Sequence, residues 1–203
     1  MSQIYEMMKY WKRKEQERMK MTSYTAENFI ETWSGTAFHF LNPASDEINI
    51  TDIAHALSNQ CRYAGHVKKF YSVAEHCVHL YDYAVRNNLG NDQSRLTLLL
   101  HDASEAYLSD IARPIKMCIP QYREIEVKIE EAIAKKFDLV YPFPDMVKDL
   151  DTRILMDERP QVKAPSDLVW GVIAEPLGIT LQFWDPAMAC LQFRARYDEA
   201  DDR

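Results

Sequence analysis

Four ionisable side chains, those of His101, Asp102, Glu105 and Asp110, lie within ten positions in a leucine-rich run that begins at Leu96. On a continuous helix His101 and Glu105 are four residues apart and Asp102 and Glu105 three apart, so these three share one face. A leucine-rich helix is usually buried, and burying several charges together is unfavourable unless a metal ion or counter-charge compensates. The run therefore predicts a metal site or an acid/base site.

Two further residues are unusual for the helices that the sequence predicts around them. His76 follows directly on Ser72–Glu75, a Ser-x-x-Glu capping box that predicts a helix through about Val85. A single histidine beside an apolar stripe is more often a packed core residue than a ligand. His76 is therefore a candidate metal ligand only if other potential ligands occur elsewhere in the sequence. Asp151 falls within the apolar stripe of a helix predicted over 145–158, where an aspartate rarely lies without a metal, a cation or hydrogen-bond donors.

Together these positions make one candidate metal-binding set, namely His76, His101, Asp102 and Asp151. Two imidazoles and two carboxylates form a mixed nitrogen and oxygen set that suits Mn, Co, Fe or Zn and leaves room for water. The residues come from three different predicted helices, so only the tertiary structure can bring them together.

Helices must position these groups, because glycine is scarce and the apolar residues recur at helical spacing. The predicted helices run from Asn49 or Thr51 to Arg62–Gly65, over 72–85, from Leu96 to a break near Ser109, over 121–139, over 145–158, and onward from Asp185-Pro186, where Asp185 is the N-cap. Residues 33–50 predict an irregular or short-stranded entry. The fold class is therefore all-α, a single helical bundle.

Residues 1–32 are predicted to form an N-terminal helical arm before that bundle. Ile4, Met7, Met8 and Trp11 recur at helical spacing, which allows a membrane-surface or partner-binding helix. Acidic residues interrupt its basic face, which favours a frayed helix or one that packs between subunits.

Composition narrows the functional classes. The formal net charge is −7, which argues against nonspecific binding to nucleic acid. The four cysteines form no Cys-x-x-Cys pair, so we expect reduced thiols. With no long apolar run and no signal-peptide pattern, we expect a cytoplasmic protein without a membrane span.

Several linked motifs resemble a known superfamily. They are Arg62, Ser72-Val73-Ala74-Glu75-His76, His101-Asp102-Ala103-Ser104-Glu105, Asp110, Pro114-Ile115-Lys116 and Asp151. Their order is similar to that of HD-superfamily metal-dependent phosphohydrolases, with the ligand pattern H…HD…D, and especially to bacterial 5′-deoxynucleotidases and the dATP triphosphohydrolases of diaminopurine-genome phages. The resemblance covers a motif core of residues 33–158 in an HD-type domain of 33–203, with 159–203 as a C-terminal helical extension.

The resemblance implies a role for each candidate residue in the metal chemistry. His76, His101, Asp102 and Asp151 would hold one divalent ion, whether Mn, Co, Zn, Fe or Mg. Glu105 would orient or deprotonate the attacking water, and Asp110 would be a second acid/base group or a substrate hydrogen-bond partner.

Substrate contacts are implied in the same way. Arg62 and Lys116 would neutralise phosphate charge in the transition state. Tyr63 could stack on the base and His66 could reach the phosphates, although core packing explains Tyr63 equally well.

The implied function is hydrolysis of phosphate from deoxynucleotides, either as a 5′-deoxynucleotidase or as a dNTP triphosphohydrolase acting on dATP; the sequence leaves both open. The alternative is a non-catalytic nucleotide-binding regulatory HD module. All six histidines lie at or before His101, which argues against a two-metal phosphodiesterase that takes histidines from the following interval. We expect a nucleotide substrate, no nucleic-acid polymer or membrane as partner, a homo-oligomer, and a host-cytoplasm location if the protein is phage-encoded.

Overall fold

The structure, a computed structural model, describes residues 28–201 together with Lys9, Lys12 and Arg13. Most of the predicted N-terminal arm therefore lies outside the described residues. The described chain is predominantly helical, which confirms the all-α prediction, and within it no helix is long and apolar enough to cross a membrane. The four cysteines are unpaired, as expected.

Short strands precede the helices. Strands β1 (Ile30–Glu31) and β2 (Ala37–Phe38) pair antiparallel with Ile30 opposite Phe38, which confirms the short-stranded entry. The helices are α1 (Ile50–Asn59), α2 (Val73–Arg86), α3 (Asp92–Leu100), α4 (Glu105–Leu108), α5 (Arg113–Lys116), α6 (Pro120–Lys136), α7 (Asp145–Val162) and α8 (Pro186–Asp201).

Helix α2 begins where the capping box predicts, but only half of that box forms. The Ser72 side chain accepts a hydrogen bond from the Glu75 backbone N–H at 3.0 Å. The Glu75 carboxylate, instead of returning to the N-cap, accepts backbone N–H groups of residues 182–184 at 2.7–2.8 Å. Glu75 therefore ties the segment before α8 to the start of α2.

The leucine-rich run is not one helix, so that prediction is wrong. Helix α3 ends at Leu100, and residues 101–104 form a turn before α4 begins at Glu105. Within it the backbone N–H of Ala103 bonds to Leu100 O at 3.0 Å and that of Glu105 to Asp102 O at 2.9 Å, both three residues back. Side chains three apart eclipse in such a 3₁₀-like turn, which places Glu105 over Asp102.

Two other helix ends differ from the prediction. Helix α1 stops at Asn59 because Gln60 is extended, and Arg62–Gly65 forms a separate 3₁₀ turn. Helix α7 continues past residue 158 to Val162 with Pro160 in its last turn. Pro160 has no N–H to donate to the carbonyl oxygen four residues back, so the helix lacks one backbone hydrogen bond there and ends two residues later.

Two apolar clusters hold the helices together. One lies between α1, α2, α3, α6 and α8, and the other between α2, α3, α7 and residues 177–183. Leu98, Leu99 and Leu100 are fully buried, and each contributes about 1.5–3 kcal/mol of transfer free energy. These leucines fix the end of α3 and with it the position of the turn that follows.

Candidate metal centre

The four predicted metal ligands lie together in the fold. The Nε2 atoms of His76 and His101 are 3.4 Å apart. Asp151 Oδ1 lies 3.2 Å from His76 Nε2, and Asp102 Oδ1 lies 3.2 Å from His101 Nε2. Helix α2, the turn after α3, and helix α7 therefore deliver their side chains to one point.

These four residues could hold a metal ion. Two donor atoms each about 2.1 Å from one ion lie roughly 3.0–3.4 Å apart at ordinary coordination angles. The separations above fall close to that range without any shift of backbone. Both histidines are buried, whereas the Asp151 side chain is 41% exposed, so the cluster opens to solvent on the α7 side.

The far ring nitrogens of both histidines are already engaged. His76 Nδ1 lies 2.7 Å from Glu158 Oε1, and His101 Nδ1 lies 2.8 Å from the carbonyl oxygen of Leu98. Each Nδ1–H donates to its acceptor, which orients the ring and leaves the Nε2 lone pair directed at the cluster. Metal ligation needs that tautomer.

Glu158 is the functional residue that the sequence reasoning missed. It is fully buried and also accepts hydrogen bonds from Tyr71 at 2.8 Å, from Tyr63, and from Arg62 at 3.5 Å. Burial by itself raises the pKa of Glu158, but the charges of Arg62 and His76 outweigh it and hold that pKa at about 2. The available signal was spacing, because Glu158 follows Asp151 by two helical turns on the same face.

Arg62 bridges the inner and outer parts of the cluster. Its guanidinium is buried and donates to Asp102 Oδ2 at 3.4 Å as well as to Glu158. The next two residues, Tyr63 and Ala64, have φ of 59° and 52° and are followed by Gly65 at 77°. Left-handed backbone costs about 1–2 kcal/mol per non-glycine residue, so the fold accepts strain to turn the chain here.

Glu105 is a buried carboxyl group with one engaged oxygen. Lys116 Nζ donates to Oε1 at 3.0 Å, whereas Oε2 has no hydrogen-bond partner among the described residues. Burial, followed by the negative charges of Asp102 and Asp110, raises the pKa of Glu105 to about 8, against the opposing effect of Lys116. Such a group exchanges a proton near neutral pH.

Gln60 holds the segment between the two predicted acid/base residues. Its Nε2 donates to the carbonyl oxygen of Glu105 at 2.8 Å, and its Oε1 accepts the backbone N–H of Asp110 at 2.9 Å. One side-chain amide therefore fixes both ends of the segment, a positioning role that the sequence did not indicate.

The predicted substrate residues do not all lie at the same place. Lys116 is shared between Glu105 and Glu126, which lies 2.9 Å away, and these carboxylates raise the Lys116 pKa although burial lowers it. Tyr63 points its hydroxyl at Glu158. His66 is exposed and lines a cavity whose wall contains none of the four ligands.

Comparison with known proteins gives a family but no chemistry. No family model matches the chain. It is 38% identical over 146 residues to uncharacterized protein YfdR of Escherichia coli K12, covering 72% of this chain and 79% of that protein. The chain belongs to the YfdR family. A second YfdR-family relative, uncharacterized protein RCAP_rcc00048 of Rhodobacter capsulatus, is 32% identical over 178 residues, covering 81% of this chain and 91% of its own length.

Neither relative's name states a ligand or a reaction. Membership of the YfdR family therefore identifies relatives of this chain but assigns no chemistry to it.

Proposed function

We propose that the protein is an HD-type, metal-dependent phosphohydrolase that removes phosphate from deoxynucleotides. The observation that carries the proposal is the convergence of His76 and His101, 3.4 Å apart at Nε2, with two carboxylates. Both Nδ1 atoms are held by acceptors, so the two rings are arranged for ligation before any ion arrives. A structural role explains the burial of these groups but not the shared direction of their donor atoms.

The proposed cofactor is one divalent ion, Mn, Co, Zn, Fe or Mg, held by the four residues. A divalent ion supplies a Lewis acid for a phosphoryl oxygen and lowers the pKa of its bound water. The mixed donor set suits a borderline ion better than a hard one such as Mg.

The residues beside the ligands carry the acid/base roles. Glu105 lies one short turn from Asp102, and its pKa of about 8 lets it take a proton from water and release it during the cycle. Asp110, whose backbone N–H is held by Gln60, is the proposed second acid/base group or hydrogen-bond partner of the substrate.

Positive charge at the site comes from Arg62 and Lys116, which differ in their hydrogen-bond partners. Arg62 donates to Asp102 and stands beside the ligands, so it is the group placed to offset phosphate charge. Lys116 acts first on Glu105 and Glu126, and a phosphate would compete with these carboxylates for it.

The test is direct assay of the purified protein with dAMP and with dATP, each with Mn, Co, Zn, Fe or Mg after removal of bound metal. Release of phosphate from dAMP alone identifies a 5′-deoxynucleotidase, and release of triphosphate from dATP alone identifies a dNTP triphosphohydrolase. Nucleotide binding without turnover under every metal would contradict the proposal and favour the regulatory HD module instead.

A further inference from the structure

A cavity of about 720 Å³ lies next to the loop that follows the 3₁₀ turn. Tyr63 lies between this cavity and the metal centre. Its walls come from residues 65–68, from the last turn of α7 and Lys163, and from residues 164, 166, 168 and 170. Small-molecule sites commonly measure about 300–1,000 Å³, so this space can take a ligand of nucleotide size. None of the four metal ligands lines it.

Three cationic side chains line the cavity without a carboxylate partner. Lys68 Nζ donates to the carbonyl oxygen of Pro160 at 3.3 Å, Lys163 Nζ to that of His66 at 2.5 Å, and Arg159 also bonds to a backbone carbonyl. In the part of the chain that the structure describes, none of the three forms an ion pair. Burial lowers the pKa of Lys163, and the Cys61 thiol opposes this only in part.

Helix capping explains part of this arrangement but not all of it. Lysines near the C-terminus of α7 can bond to its last carbonyl groups, and the helix end carries about half a negative charge. Three full positive charges exceed that half charge several-fold. The cavity therefore keeps a positive potential that an anion would satisfy.

Two aromatic rings lie beside the cationic side chains of the cavity. The Arg159 guanidinium lies 4.8 Å from the centroid of the Trp170 ring, and Lys163 Nζ lies 4.7 Å from that of Tyr63. The two rings are themselves 5.8 Å apart. Arginine beside an aromatic ring can form bidentate hydrogen bonds with a phosphate. The apolar wall of the cavity, formed by Val67, Val162 and Leu168, can meanwhile contact a planar group.

We propose that this cavity is a second ligand site, which binds a phosphate ester of a planar aromatic group, such as a nucleoside monophosphate. Arg159, Lys163 and Lys68 receive the phosphate, and the apolar wall with Trp170 contacts the ring system. The site goes beyond the proposed hydrolase function and does not depend on it. Tyr63 separates the two regions, with its hydroxyl on Glu158 and its ring toward Lys163.

The test is calorimetric binding to the metal-free full chain in chelator, where a metal-dependent reaction plays no part. AMP and phenyl phosphate should both bind, and adenosine or inorganic phosphate should bind at least tenfold more weakly. If only AMP binds, the site reads the nucleoside rather than any aromatic ring. Equal affinity for AMP and inorganic phosphate, or no AMP binding at millimolar concentration, would overturn the proposal.

Variants locate the binding. The double variant Arg159→Ala/Lys163→Ala should weaken AMP binding at least tenfold, and Trp170→Ala should weaken AMP while sparing inorganic phosphate. Lys69→Ala is the matched control, because Lys69 is exposed on the same loop and contacts the ring of Phe183 instead. Circular dichroism checks folding, and the single change Lys163→Gln serves if the double variant fails to fold.

AMP binding at the metal cluster, rather than in the cavity, would give a different response to substitutions. If Asp151→Ala abolishes AMP binding while Arg159→Ala/Lys163→Ala leaves it intact, AMP lies at the metal cluster and the cavity proposal fails. The hydrolase proposal would survive that result, so the two can be judged separately.

Discussion

Helix α7 serves two neighbouring regions of opposite character. Asp151 and Glu158 face the metal centre, where carboxylates, imidazoles and Arg62 are connected by short contacts. Arg159, the residue directly after Glu158, faces the cavity, where cations bond only to carbonyl oxygens among the described residues. A change of one position on a helix turns the side chain by about 100°, which is enough to separate the two.

The two regions differ in the charge of the ligand that each could bind. The metal centre could hold a cation, because Asp102 and Asp151 converge there with two histidines. The cavity could hold an anion, because its lining residues include cations and no carboxylate, and these cations form no ion pair among the described residues. The following predictions test this contrast, beginning with the largest expected effect.

Removing one metal ligand should cost the most. We expect Asp151→Ala to lose bound metal and to reduce turnover by more than about 100-fold, because the open side of the cluster loses its carboxylate. Metal content by mass spectrometry and phosphate release are the two measurements. Asp149→Ala is the control, since Asp149 lies on the same helix, is mostly exposed and, among the described residues, forms an ion pair only with Arg153. Full activity of Asp151→Ala would refute the four-ligand arrangement.

Changing the proton-handling group should separate catalysis from binding. We expect Glu105→Gln to keep its metal and to lose activity by about 10²–10⁴-fold, because glutamine cannot exchange a proton. The exposed Glu124 on α6 gives the control Glu124→Gln. Loss of metal together with activity would show that Glu105 acts as a ligand instead.

The Glu105 pKa of about 8 also predicts a pH dependence of stability in the metal-free protein. A carboxyl group whose folded-state pKa is raised stabilises the fold below its ordinary pKa near 4.5, and that contribution is lost as the pH rises through 8. Thermal unfolding of the wild type in chelator should therefore show a decline over this window that is smaller in Glu105→Gln. Identical profiles would argue against the raised pKa.

The buried carboxylate behind His76 should have an intermediate effect. We expect Glu158→Gln to weaken metal affinity by about 10–100-fold, because the charged acceptor that orients the His76 ring becomes a neutral amide, which binds Nδ1–H more weakly and makes the imidazole less basic. Because the Glu158 pKa is depressed to about 2, its stabilisation is present above pH 4.5 and is lost as the pH falls through 2. Acid unfolding should therefore be flatter in Glu158→Gln over that window. Unchanged metal affinity would make Glu158 purely structural.

The smallest expected effect is at Lys116. We expect Lys116→Met to raise the pKa of Glu105 further and to lower activity by about tenfold, with the pH–rate profile displaced upward. Exposed Lys135 on α6 gives the control Lys135→Met. A displacement to lower pH would contradict this electrostatic role.

Local patterns in the sequence determined much of this protein. The apolar periodicity predicted the helical fold, and the Asp185 N-cap does accept the backbone N–H of Met188 at 2.8 Å. His76 and Asp151 were predicted as metal ligands because a charged or basic group beside an apolar helix face needs a partner, and both lie in a cluster that could hold a metal ion. That requirement holds in any fold, so such residues can be recognised from the sequence alone.

Tertiary structure decided the rest. Spacing puts Glu158 on the same helix face as Asp151 but does not reveal what it bonds to, because its partners Arg62, Tyr71 and His76 lie 82–96 residues away in the chain. The capping role of Glu75 was predicted wrongly for the same reason, because its carboxylate bonds to residues 182–184. The turn at His101–Asp102 is held by local hydrogen bonds, but apolar periodicity does not distinguish it from a continued helix. Burial and distant partners set the orientation of His76, the pKa of Glu105 and the cation-lined cavity, and these exist only after the helices have packed.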